Sequence, residues 1–233
     1  KAKLNEIKNI LEELPGYKTG DYGKIKKSLM KEIEITKTRS KIKHQDWLGV
    51  VRQGHKQFCL VGAPSSGKSS LLSKLSGMNI KIADYDFTTL KPIPAIVKLN
   101  EAQIQIVDLP GLIEGATEDA GGGKRLIGIV KNADGILFII DLTKDFSNAE
   151  KVYNELVKAK INKPIIFIGN KIDASGAKEN ATKLKEKIKK IILISTITDE
   201  GLEELKQKIW ENCNLMRIYT EKTSEPIIID KGA

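Results

Sequence analysis

Residues 57–75 read QFCLVGAPSSGKSSLLSKL: an apolar run, then Gly62-Ala63-Pro64-Ser65-Ser66-Gly67-Lys68-Ser69-Ser70, then leucines at helical spacing. The pattern Gly62-x-x-x-x-Gly67-Lys68-Ser69 is that of a phosphate-binding loop set between a strand and a helix. Its glycines let backbone N–H groups converge on phosphate oxygens, and the helix N-terminus adds partial positive charge. In such a loop Lys68 reaches the terminal phosphates, Ser69 offers an oxygen to Mg²⁺, and the whole run from Gly62 to Ser70 is expected to line the nucleotide.

Outward from the loop, short β-rich runs alternate with helical ones. Strands are predicted over 58–61, 93–99, 104–108, 136–141, 164–169 and 191–195, and helices over 68–75, 125–131, 148–158, 181–188 and 202–210. A run as uniformly apolar as Ile136-Leu137-Phe138-Ile139-Ile140 is buried on both faces, as in a parallel sheet covered by helices. The predicted fold class is α/β, a doubly wound sheet flanked by helices, with ligands at the carboxyl ends of its strands.

Three regions are expected. Residues 1–56 form a basic helical segment, since Leu4, Ile7, Ile10 and Leu11, then Ile25, Leu29 and Ile33, recur at helical spacing around Pro15-Gly16. Residues 57–213 form the nucleotide domain. Residues 214–233 open with a β-hairpin, Met216 to Thr220 and Glu225 to Ile229. The chain begins with Lys1 rather than Met and stops soon after a strand-like run, so both ends read as cut.

The net charge of +9 is unevenly distributed: residues 1–56 hold fourteen Lys and Arg against seven Asp and Glu, leaving +2 for the remaining 177 residues. Lys24, Lys26, Lys27, Lys31, Lys37, Arg39, Lys41 and Lys43 suit RNA phosphates or, equally, a solvated helix face. No apolar run approaches the roughly 18 residues of a membrane span, and the N-terminus has no signal-peptide pattern. Cys59 and Cys213 share no metal-ligand spacing and read as buried thiols of a reducing compartment. The expected setting is cytoplasmic, without a membrane partner.

A phosphate loop alone leaves ATP and GTP open. The choice comes from Asn170-Lys171-Ile172-Asp173, at the carboxyl end of an apolar strand. A buried Asp173 carboxylate would accept from both the ring N–H and the exocyclic amino group of guanine, a donor pair adenine lacks. Lys171 can lay its stem on the base plane, and Asn170 can hydrogen-bond the base and tie the loop to its neighbours. Between the two motifs, Asp108-Leu109-Pro110-Gly111 ends another strand. There Asp108 would hold Mg²⁺ through water, and the Gly111 N–H would meet the γ-phosphate. Upstream, Tyr85-Asp86-Phe87-Thr88-Thr89-Leu90 falls where a switch segment contributes a hydroxyl and a carbonyl. After the last strand, Ser195-Thr196-Ile197 would back the guanine with main-chain N–H groups.

Ala83-Asp84-Tyr85-Asp86-Phe87-Thr88-Thr89-Leu90 and Asp108-Leu109-Pro110-Gly111-Leu112-Ile113-Glu114-Gly115-Ala116 resemble the Obg-related GTPases, in particular the archaeal-type developmentally regulated GTP-binding (Drg) branch, over residues 57 to about 213. The resemblance implies a Mg²⁺-dependent GTPase. It assigns the switch metal ligand to Thr89 beside Ser69 and water-linked Asp108, with Lys68, Thr89 and Gly111 serving the reaction. It also implies an RNA or ribosome partner, a protein partner that stabilises the chain, and a C-terminal TGS domain of which 214–233 would be the opening hairpin. Leu112 stands where Ras-like enzymes have a water-orienting Gln, so slow intrinsic hydrolysis is expected. Some relatives bind activating K⁺ through a loop Asn; Ser65 stands there, which leaves K⁺ open. Gly121-Gly122-Gly123 reads as the flexible part of switch II, with Lys124 or Arg125 as a candidate transition-state cation. A cycling enzyme and a GTP-sensing RNA adaptor both remain open; a small-molecule kinase gives Asn170 to Asp173 no role.

Overall fold

Strand β1 (Lys56–Gly62) runs through the middle of a six-stranded sheet and is buried along nearly its whole length. Its side chains alternate between two cores. Phe58 and Leu60 face one helix layer, and Cys59 and Val61 face the other. A strand sandwiched in this way is apolar on both faces, which is why its sequence is a continuous run. The computed structural model describes residues 50–77, 92–109, 123–219 and 226–231, all within the unit Leu48–Ala233.

The remaining elements in chain order are α1 (Lys68–Ser76), β2 (Ile93–Leu99), β3 (Ala102–Asp108), α2 (Gly123–Asn132), β4 (Gly135–Asp141), α3 (Ser147–Lys158), β5 (Ile165–Asn170), α4 (Ala177–Lys187), β6 (Ile191–Ile194) and α5 (Leu202–Asn212), followed by β7 (Leu215–Ile218) and β8 (Ile227–Asp230). The sheet order is β2-β3-β1-β4-β5-β6. Helices α1 and α5 cover one face through Leu71, Leu72, Leu75, Leu202, Leu205 and Ile209. Helices α2, α3 and α4 cover the other through Leu126, Val130, Val152, Leu156, Ala181 and Leu184. This is the doubly wound α/β arrangement expected, and the chain order reverses at β1, whose neighbours are β3 and β4.

Four local readings are corrected. The sheet is not wholly parallel: β2 pairs antiparallel with β3, from Ile93↔Asp108 to Leu99↔Ala102. The two-residue connection Asn100-Glu101 has φ 47° and 67°, the left-handed pair of a type I′ hairpin. Helix α4 starts at Ala177 rather than 181, because Gly176 at φ 75° caps it and Ala177 is fully buried. Gly123, read as part of a flexible glycine run, is instead the buried first residue of α2. The small hairpin lies one or two residues off its predicted bounds, over Leu215–Ile218 and Ile227–Asp230, with Leu215↔Asp230 and Ile218↔Ile227 in register. Leu215 and Ile228 pack on the α1/α5 core. The ion pair of Lys56 with Asp230 ties the hairpin to β1.

No helix among the described residues is long and apolar enough to cross a membrane. Of the helical segment expected over 1–56, residues 1–49 lie outside the described residues, as do Tyr85 to Leu90, Pro110 to Gly122 and the hairpin tip at 220–225; residues 50–55 are not helical, and Lys56 opens β1.

Candidate functional site

Gly62, Asp108, Asp141, Asn170 and Ser195 sit at or just beyond the carboxyl ends of β1, β3, β4, β5 and β6. Parallel strands deliver their last residues to one edge of the sheet, so the topology alone gathers these residues from across the chain.

The loop between β1 and α1 has two positions with no room for a Cβ, Gly62 and Gly67. Gly67, the N-cap of α1, has φ 95°, and a Cβ there would lie 2.2 Å from Asn170 Nδ2. At Gly62 a Cβ would meet the Ile139 carbonyl oxygen at 2.4 Å. Ser65 also takes a positive φ of 60°. Lys68 is buried and folds back over the loop, its Nζ donating to the Gly62 and Ala63 carbonyls at 2.9 Å each. Burial pulls the Lys68 ammonium below its ordinary value, and nearby Asp108 opposes that shift. Pro64 and Ser65 lie on the exposed rim, Ser66 is fully buried, and Ser69 and Ser70 are half-buried on the first turn of α1.

Ser69 Oγ donates to Asp108 Oδ2 at 2.7 Å. Asp108 is buried, which raises its carboxyl, while the Ser69 hydrogen bond and Lys68 act the other way. Its second oxygen, Oδ1, has no hydrogen-bond partner. A hydroxyl beside a buried carboxylate with an unused oxygen is a hard, all-oxygen donor set, which fits Mg²⁺. Among the described residues no three His, Cys, Asp or Glu side chains gather as a self-sufficient metal site.

The strand carrying Asn170 is locked to the phosphate loop. Asn170 is wholly buried, and its Nδ2 donates to the Ser66 carbonyl at 2.9 Å. Its Oδ1 and the Ser66 Oγ are buried without partners. Lys171, at φ 70°, sends its Nζ to Asp141 Oδ2 at 2.7 Å and to the Ser65 carbonyl at 3.1 Å. Asp141 Oδ1 accepts from the Thr143 N–H and hydroxyl at 2.9 and 2.6 Å. Sequence reasoning missed Asp141; an Asp ending an apolar strand five residues after a buried Ile has no spacing to any other motif, and its partner lies 30 residues away.

Two base-side expectations change. Asp173 is exposed rather than buried, because Ile172 takes the inward position beside it. In the loop after β6, the Ile197 N–H does not face outward: it donates to Ser195 Oγ at 3.1 Å, as the Thr198 N–H does at 3.0 Å. Ser195 is buried and closes this turn, and the Ile197 side chain is 77% exposed. Thr196 stands between them, half-buried. The Lys74–Asp199 ion pair, 2.6 Å, joins α1 to the same loop. Thr88, Thr89 and Gly111 lie outside the described residues.

Residues 57–171 match a family model described as 50S ribosome-binding GTPase. Over 178 residues, 71% of this chain, the sequence is 38% identical to GTPase Obg of Mycoplasmopsis agalactiae, of which 42% is covered. Over 126 residues, 52% of this chain, it is 40% identical to developmentally-regulated G-protein 1 of Arabidopsis thaliana, of which 32% is covered. Among solved structures, Era in complex with MgGDPNP and nucleotides 1506–1542 of 16S ribosomal RNA aligns with a TM-score of 0.57 at 32% identity, covering 67% of this chain and 56% of that one. The matched segment thus spans less than half of each of these two curated relatives.

Proposed function

We propose that the chain carries a P-loop GTPase domain of the Obg and developmentally regulated type, that it binds GTP with Mg²⁺, hydrolyses it slowly to GDP and phosphate, and works as a ribosome- or RNA-associated switch in the cytoplasm. The observation that carries the reading is the bond from buried Asn170 to the Ser66 carbonyl. It makes the phosphate loop and the base-reading strand one rigid unit, as selection of a whole nucleotide requires. The family description and the Era complex with 16S ribosomal RNA support the partner class.

In this reading the Gly62–Ser70 backbone holds the phosphates, and Lys68 exchanges its two loop carbonyls for phosphate oxygens. Ser69, Thr89 and Asp108 would hold Mg²⁺, which would neutralise charge on the phosphates. Lys68 and the Gly111 N–H stabilise the charge that spreads over the γ-phosphoryl oxygens as water bonds to phosphorus and the bond to the β-phosphate oxygen breaks. The water's proton leaves with phosphate. No side-chain base is assigned, and Leu112 cannot orient the water, so the intrinsic rate is slow. Asp173 accepts from guanine, Lys171 covers its plane, and the loop of Ser195, Thr196 and Ile197 supports it, with Thr196 offering the main-chain N–H. Residues 1–56 and the region from 214 onward supply further contacts to RNA.

Phosphate release from GTP, followed with Mg²⁺ and with EDTA, tests this reading. Wild-type turnover should need Mg²⁺, and Ser69→Ala should keep GDP affinity in EDTA while losing most of the Mg²⁺-dependent gain. Equal turnover in EDTA, or an unaffected variant, would contradict it. Stimulation by ribosomes marks a cycling enzyme; nucleotide-dependent RNA binding without stimulation marks an adaptor.

A further inference from the structure

Lys171 is fixed at both ends of its side chain. Its backbone sits in the left-handed region at φ 70°, where a lysine is uncommon and strained. Neighbouring main-chain bonds keep it there: the Ala174 N–H donates to the Lys171 carbonyl at 3.0 Å, and the Ile172 N–H to the Ile194 carbonyl at 3.1 Å. At the far end, Nζ donates to Asp141 Oδ2 at 2.7 Å and to the Ser65 carbonyl at 3.1 Å. The stem therefore spans from the end of β5 to the end of β4 and the phosphate loop.

Asp141 is the firmer of the two anchors. Its bond is the shorter one and joins two charged groups, whereas Ser65 lies on the exposed rim of the loop. Asp141 is buried and stands in register with Asn170 on the neighbouring strand. Its Oδ1 is taken up by the Thr143 N–H and hydroxyl at 2.9 and 2.6 Å, which leaves Oδ2 for Lys171. The turn that carries Thr143 is itself pinned. The Leu142 N–H donates to the Asn170 carbonyl at 3.0 Å, and Asn180 Nδ2 donates to the Leu142 carbonyl at 2.9 Å. A chain of bonds thus runs from α4 and β5 through Thr143 and Asp141 to one ammonium group. Lysine has among the largest rotamer entropies of any side chain, and ordering it anew at each binding event would weaken a complex. Here it is ordered by the fold.

We propose that Asp141, oriented by Thr143, is a positioning residue for guanine-nucleotide binding, which holds the Lys171 side chain in place for the base and acts on the ligand only through Lys171. The inference rests on the guanine-nucleotide reading above and adds to it two residues outside the motifs that define that site.

The test uses the full chain and fluorescent GDP, by equilibrium titration and by the rate of release into excess unlabelled GDP. Asp141→Asn should weaken GDP binding about tenfold, chiefly through faster release. Thr143→Val, at an exposed position, removes one of the bonds that set the carboxylate without threatening the fold, and should shift affinity about threefold in the same direction. Two comparisons separate positioning from a general loosening of the site. Lys171→Met keeps the apolar stem and removes the ammonium, so in that background Asp141→Asn should weaken GDP no further, while its loss should multiply with that of Ser69→Ala on the metal side. Pyrophosphate with Mg²⁺, which has no base, should compete equally well for wild type and Asp141→Asn. Wild-type GDP affinity in both Asp141→Asn and Thr143→Val would overturn the proposal. So would a tenfold loss that persists in Lys171→Met, or a matching loss for pyrophosphate. A wild-type chain that binds no GDP would overturn the nucleotide reading itself, whereas the other failures leave that reading standing.

Discussion

Replacing Asp141 with Asn should destabilise the domain by about 2 kcal/mol. The carboxylate is buried and accepts three hydrogen bonds, two from Thr143 and one from the Lys171 ammonium at 2.7 Å. The substituted amide keeps an oxygen for Thr143 but turns an NH₂ group toward Lys171, so one charge-assisted bond is lost. Such bonds are worth about 1.5–3 kcal/mol, and the lower half applies because Lys171 is about one-third exposed. For a unit of this size that corresponds to a Tm lower by roughly 4–8 °C. The pH dependence has a definite sign. Burial raises the Asp141 carboxyl, but the Lys171 bond and the two Thr143 bonds outweigh it and hold the group below its ordinary value. A depressed carboxylate contributes stability that is fully present above its unfolded value of about 3.9 and is lost as pH falls through the folded value. Urea melts of wild type and variant should therefore differ at neutral pH and converge on acidification below about pH 4. Equal midpoints at neutral pH, or a gap unchanged in acid, would refute the reasoning.

Two further outcomes follow from the same geometry. Gly67→Ala should cost about 2–4 kcal/mol, from a non-glycine residue at φ 95° and from a Cβ that breaks the Asn170 bond to Ser66; urea unfolding and GDP affinity should fall together, and a variant as stable as wild type would count against the loop geometry. Burial pushes the thiols of Cys59 and Cys213 up to about 12, so neither should react with iodoacetamide at about pH 8 until the domain unfolds; rapid alkylation of the folded chain would contradict the packing of β1.

The fold was legible where burial writes a pattern. Strands β1, β4 and β5 are continuous apolar runs because helices cover both faces, and their carboxyl ends carry the motifs. What escaped reading depends on contacts between distant residues. The Asn100-Glu101 turn is hairpin chemistry without the usual glycine, so β2 did not announce its antiparallel pairing. Asp141 becomes informative only when β4 and β5 lie side by side and bring it to Lys171. Whether Asp173 is covered, or the Ile197 N–H free, depends on the turn each residue occupies, which the motif leaves unsaid.

The central claim is guanine selection by the unit that Asn170 joins to the phosphate loop. Its most direct test is displacement of fluorescent GDP from the Mg²⁺-loaded chain by GTP, GDP, ATP and ADP, repeated with Asp173→Asn. The account predicts displacement by guanine nucleotides alone and an affinity lower by about ten- to a hundredfold in the variant, the loss of one charge-assisted pair. Equal displacement by ATP, or an unchanged affinity in Asp173→Asn, would contradict it.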